Sequence, residues 1–258
     1  MTKDISTIAE AKGILIEWFD VIGDSRDLSP IVDEIERDRA IYADRPGFVR
    51  KLLPYVTDVI TGENYAGGSY LFDTPANAQG HSDWTTKEHR VEGMLFPEMP
   101  WVANFDGFVG EVFGAVDSDS NLSNHAAKRI VVWRAGEKKA RDVAAALWPM
   151  VLEAVNDDRL VGAWLGVNDI ENTVGLVLVC TRWSDRGAND YLTFEFLRSL
   201  PLFETGAPPL EQLIVDRCMW VFTIWLPPSA GRATSGLWPN SPPLPAPDYH
   251  QDPGQAAT

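Results

Sequence analysis

Along the chain, apolar positions alternate between two rhythms. Gly13-Ile14-Leu15-Ile16-Glu17-Trp18-Phe19 is a short run rich in branched and aromatic residues that ends at the turn-like Gly23-Asp24-Ser25, and it predicts a strand. From Leu28 to about Ala43, Ile31, Val32, Ile35, Ala40 and Ile41 recur at helical spacing among acidic residues until Pro46-Gly47 halts them, which predicts an amphipathic helix. Phe48 to Leu53 and Gly68 to Asp73 look extended and are joined through Thr61-Gly62-Glu63-Asn64, so they predict a hairpin. Thr74-Pro75 places a capping residue before a proline, so a second helix starts there and runs towards Met94. Phe108 to Gly114 supplies a fourth strand.

The order strand, helix, strand, strand, helix, strand then recurs. Its second appearance uses Ile130–Trp133, a helix from Lys139 to about Asn156, Leu160–Leu165, Val174–Cys180, a helix from Asp185 to Leu200, and Met219–Trp225. Trp18 aligns with Trp133 and Thr74 with Thr181, an offset that drifts from about 115 to about 107 residues as connecting loops change length. The fold class expected is therefore α+β, two fused βαββαβ units. The first spans 10–116 and the second 127–227, with a linker rich in Asp, Ser and Asn between them. Residues 228–258 are a Pro-rich tail that lacks the apolar residues to order itself. Such a unit puts both helices on one face of its sheet, so the other face needs a cover, and the twin unit supplies one. Strands that are apolar nearly throughout fit sheets buried on both faces.

Charge narrows the partners. A formal net charge of −15, from 37 acidic against 22 basic side chains, repels a polyanion, so nucleic acid is not an expected partner. The N-terminus lacks the order of a signal peptide and no apolar run is long enough to span a bilayer, so no membrane is expected and a cytoplasmic location is. Cys180 and Cys218 sit among apolar residues, the setting of buried, reduced cysteines.

Arg45-Pro46-Gly47-Phe48-Val49-Arg50-Lys51-Leu52, followed by a hairpin and by Tyr70-Leu71-Phe72-Asp73-Thr74 with Ala76-Asn77-Ala78, resembles the dimeric α+β barrel superfamily of ferredoxin-like units, particularly its antibiotic-biosynthesis monooxygenase-like members. The resemblance covers most of residues 10 to 226. It implies a tandem barrel with a pocket between one sheet and its own helices. Its members include cofactor-free oxygenases of phenolic and polyketide substrates, and also cyclases, isomerases, dehydratases and haem enzymes, so fold does not fix function.

In that setting the first unit holds the better set of polar and aromatic residues. His81, Trp84 and His89 are expected on one face of the second helix, with His81 as a neutral-pH base and Trp84 as a wall for a substrate ring. Arg50 and Arg90 are candidates for holding a carboxylate or enolate, and Tyr70 and Asn104 for donating to an oxyanion. The four histidines show no ligand spacing, so no metal is expected. No nucleotide or serine-hydrolase motif is present. The expectation is a monooxygenase acting without a cofactor on a small aromatic or polyketide-like ligand, with a homodimer left open. Haem also stays open, because a single histidine ligand leaves no spacing to read. The alternatives are a lyase, cyclase or isomerase working on an activated carbon acid in the same pocket, and a protein that only binds a small ligand.

Overall fold

In a computed structural model, the structure describes residues 5–22, 45–57, 64–117, 125–157, 159–181, 190–200 and 212–225. The expected helix at 28–43, most of the connection at 61–64, the start of the last helix and the tail at 228–258 lie outside them.

The elements of the first half are β1 (Ser6–Thr7), β2 (Gly13–Val21), β3 (Phe48–Thr57), β4 (Asn64–Phe72), α1 (Pro75–Lys87), β5 (Arg90–Val91), β6 (Met94–Leu95) and β7 (Val102–Asp117). The second half contributes β8 (His125–Arg134), α2 (Ala140–Val155), β9 (Leu160–Asn168), β10 (Thr173–Thr181), α3 (Asp190–Ser199) and β11 (Leu213–Trp225). Both halves lay their strands in the same spatial order, β7-β2-β4-β3 and β11-β8-β10-β9, with antiparallel neighbours. This is the ferredoxin-like order expected twice. The edges then meet: β3 pairs with β11, and β7 with β9. The eight long strands form a closed ring, so each half covers the other and neither leaves an edge open to pairing elsewhere.

Side chains alternate across this wall. Ile14, Ile16 and Trp18 join the main core with Phe108, whereas Leu15 and Phe19 belong to smaller clusters on the helix side. Glycines show how tightly the inside is filled: a Cβ on Gly166 would come within 2.3 Å of Ile14, and one on Gly175 within 2.6 Å of Phe108. Residues of the second half thus touch residues of the first across the barrel. Lys128 is fully buried, and its Nζ lies 2.5 Å from Oγ of Ser69 in the other half.

Two expectations change at the level of single residues. Trp18 and Trp133 do not match in the structure. Val132 pairs with Gly175, which faces inward, so the alternation puts Trp133 on the outer face with Arg129, whose guanidinium reaches the carbonyl of Leu197 on α3. The halves correspond by strand order, and not by that tryptophan pair. The second helix also ends earlier than Met94. Thr74 caps it as expected, accepting from the Asn77 amide at 3.1 Å with Pro75 in the first turn. The chain leaves the helix after Lys87, and Glu92 and Gly93, both at positive φ (51° and 87°), then turn the small β5-β6 hairpin.

Candidate functional site

The outer face of β2 in the first half carries a charge between apolar residues. Glu17 is only 3% exposed, between Leu15 and Phe19 on the same face. Its partners in register on the adjacent strands are both glycines, Gly68 on β4 and Gly107 on β7. Over Gly68 lies the ring of Tyr70; a Cβ there would come within 2.3 Å of the ring and 2.5 Å of the hydroxyl. The missing side chain lets Tyr70 lie back across the strand and bring its hydroxyl to the Glu17 carboxylate. From above, α1 adds Thr85, whose hydroxyl is within reach of the same carboxylate and 3.1 Å from the His81 carbonyl.

Burial dominates the acidity of Glu17. It pushes the carboxyl up to about 7, against the opposing pull of Lys51, the two hydroxyls and His89. Lys51 is itself buried on β3, pairs in register with Tyr70, and holds its Nζ 4.7 Å above that ring. Glu17 Oε1 is buried without a hydrogen-bond partner among the described residues.

Beside this carboxylate runs a chain of rings. His81 is 1% exposed on the buried face of α1, with ring centres 4.8 Å from Tyr70, 5.3 Å from Phe72 and 5.5 Å from Trp84. Trp84 lies 4.3 Å from His89 and carries the Arg45 guanidinium over its ring at 4.5 Å. His89 leads on to Phe96 at 6.2 Å, and Phe96 to Phe19, Trp101 and Phe105. Burial, together with the charges of Lys51, Arg45 and His89, holds the His81 imidazole well below its usual range, so it stays neutral.

Of the residues expected from the sequence, His81, Trp84, His89 and Tyr70 come together in this layer. His89 does so from beyond the helix rather than on its face, its amide bonded to the Trp84 carbonyl at 2.7 Å. The other three lie elsewhere. Arg50 pairs in register with Leu71, on the face opposite Lys51, and forms an ion pair with Asp117. Asn104, at positive φ, donates to Asp20 at 2.6 Å where β2 and β7 slip register. Arg90 is exposed and donates to the Gly93 carbonyl in the β5-β6 turn. Glu17, Lys51 and Thr85 were not singled out from the sequence. A lone carboxylate inside Gly13–Phe19 was the readable signal, because such a charge is carried there only at a cost.

Among the described residues no group of histidine, cysteine, aspartate or glutamate side chains is arranged to hold a metal ion, and no helix is long and apolar enough to cross a membrane. Cys180 and Cys218 are both buried.

No family model matches the chain, and no curated protein does. Solved structures do. A proposed monooxygenase from Fusobacterium nucleatum subsp. nucleatum superposes with a TM-score of 0.53 at 10% identity, covering 82% of this chain and 91% of its own. An anthrone oxidase-like protein gives 0.53 at 10%, covering 86% and 96%. A chlorite dismutase from Candidatus Nitrospira defluvii follows with 0.42 at 11%, covering 82% and 90%. This last similarity corrects one expectation. Chlorite dismutases are haem proteins, so the fold does not imply chemistry without a cofactor, and that expectation is withdrawn. As placed, neither His81 nor His89 suits a haem iron, since aromatic rings crowd the imidazoles at 4.3 to 5.5 Å. The repeated strand order, the two edge-to-edge joins and these superpositions give one result: the chain has the fold of the dimeric α+β barrel superfamily, that of the antibiotic-biosynthesis monooxygenase-like proteins, with both units in a single chain.

Proposed function

We propose that the protein is an oxygenase-type enzyme that binds a small aromatic or polyketide-like molecule between the first sheet and α1. The observation that carries this reading is the run of rings from Tyr70 through His81, Trp84 and His89 to Phe96, set beside a buried carboxylate and a buried lysine. Flat faces favour a flat ligand, and a few convergent polar groups orient it. On β8, the strand of the second half that corresponds to β2, the outward positions Arg129, Val131 and Trp133 carry no carboxylate. The names of the superposed monooxygenase and anthrone oxidase-like proteins point to the same reaction class.

The proposed step is removal of a proton from a phenol or an activated carbon acid, which makes an electron-rich anion able to react with dioxygen. In this reading Trp84 and Tyr70 hold the ring and neutral His81 lines it. Anthrone serves as the probe. In air-saturated buffer the purified protein is expected to consume dioxygen as anthrone disappears, and Trp84→Ala to raise KM by roughly threefold to tenfold, the worth of one aromatic contact. Anthrone loss without dioxygen uptake would replace the oxygenase with a lyase or isomerase. Unchanged kinetics in the variant would remove this layer from the reaction.

A further inference from the structure

We infer that Glu17 is the group that takes the substrate's proton, and that the substrate reaches it across Gly107. This rests on the reading of the layer as the substrate site and replaces His81 in the role of base. The geometry carries it. A structural carboxylate inside a protein has its oxygens bonded, yet Glu17 Oε1 is buried with no hydrogen-bond partner among the described residues, while Tyr70 and Thr85 serve the carboxylate from one side. The two glycines beside it differ. Gly68 is covered by the Tyr70 ring. Gly107 is exposed, and the nearest atoms to a Cβ there belong to β2 itself: Ile16 O at 3.3 Å, Glu17 Cγ at 3.6 Å and Glu17 Cα at 3.9 Å. Next along the same face, Phe19 and Phe105 stack at 6.0 Å and flank that approach.

Charge decides between the two candidate bases. Before transfer, the Glu17 carboxylate faces the Lys51 ammonium. The C–H or O–H bond of the substrate breaks, its electron pair stays on the substrate as an enolate or phenolate, and the proton bonds to Glu17 Oε1. Lys51 then faces one negative charge, as before, and little charge separation is created. A proton placed on His81 would instead add a buried cation near Lys51, Arg45 and His89, the arrangement that already opposes its protonation. The charged and titratable groups around Glu17 are Lys51 from β3, Tyr70 from β4, His89 beyond α1, and Lys128 from β8 in the barrel; Gly107 on β7 adds none. After release of product the carboxyl returns its proton to water.

The test is kcat/KM for anthrone against pH, between about pH 5 and 9. Wild type is expected to rise with its inflection at about 7 and to level off above it. Glu17→Gln is expected to lose roughly a hundredfold to ten-thousandfold and to flatten the profile. Glu17→Asp should recover part of the rate with its inflection moved. Gly107→Val should raise KM while leaving the inflection in place. Full activity and an unchanged profile in Glu17→Gln would overturn the inference and leave the aromatic site standing. Should wild type not turn anthrone over, the proposed reaction fails and 2-naphthol binding, read by tryptophan fluorescence, judges Glu17 separately. Its affinity is expected to change through about 7 in wild type and to be independent of pH in Glu17→Gln; the same dependence in both proteins would sink the inference.

Discussion

A carboxylate carried in the middle of a buried strand is costly whenever it is ionised. Glu17 folds with its carboxyl raised from 4.5 to about 7, so between those values the folded state holds a proton that the unfolded chain has lost. Its contribution to stability is therefore complete below about 4.5 and is lost as pH rises to about 7. Above that the penalty amounts to about 3 kcal/mol by the usual linkage of pKa to free energy. Glu17→Gln is expected to match wild type in denaturant titrations at about pH 4 and to exceed it by about that amount at about pH 8. A constant difference across the range would show that folding leaves the Glu17 pKa unchanged. His81 acts in the opposite sense. Its depressed pKa gives stability that is present above about 6.5 and falls away in acid, so over the acid range in which Glu17 gains stability His81 loses it. Gly68→Ala offers a related test: its Cβ would push Tyr70 aside and remove a bond that favours the Glu17 carboxylate, so the Glu17 titration is expected to move upward.

At the scale of elements, α1 holds the layer together, because Ala78, His81 and Thr85 form its buried face and Trp84 continues the ring chain. Its start depends on Thr74, whose hydroxyl accepts from the Asn77 amide in the first turn. Thr74→Ala is expected to lower stability by about 1 kcal/mol and to weaken binding at His81 and Trp84, checked by thermal melting and by fluorescence. The start of α1 was legible because Thr-Pro is a chemical signal with one meaning. Its end was not, because Lys87-Glu88-His89 contains no breaker; the stop is imposed by a hairpin whose turn at Glu92-Gly93 requires positive φ. The strands were legible because they are buried on both faces. That same uniformity hid the side each residue takes, which is why Trp18 seemed to match Trp133. Glu17, flanked by Ile16 and Trp18, went unread for a similar reason: only the pairing of β2 with β4 and β7 puts glycines on either side of it. Arg50 and Lys51 differ by one position, and the pleat sends Lys51 to the site and Arg50 away from it.

Over the whole molecule, closure of the ring creates an interior as well as an edge-free wall, and one occupant of that interior sets a measurable limit on stability. Lys128 reaches from the second half to Ser69 in the first, fully buried, with its amine held well below the usual lysine range by burial and by Lys51, against the smaller attraction of Glu17. Unfolding exposes an amine that binds a proton readily, so the unfolded state binds more protons than the folded one at neutral pH. Stability should accordingly rise as pH climbs towards about 10.4, the value for a free lysine side chain. A methionine of similar length fills the same space without this demand and leaves Ser69 only a weak partner to lose. Lys128→Met is expected to stabilise the barrel by about 1–4 kcal/mol at neutral pH, the range seen when buried charged groups give way to apolar ones. The gain should shrink towards about pH 10, where wild type no longer gives up a proton on folding. Denaturant titrations at about pH 7 and about pH 9.5 check both statements. A variant less stable than wild type at the lower pH would mean that the Lys128–Ser69 bond helps to close the two halves, and that its strength outweighs the cost of burying the amine.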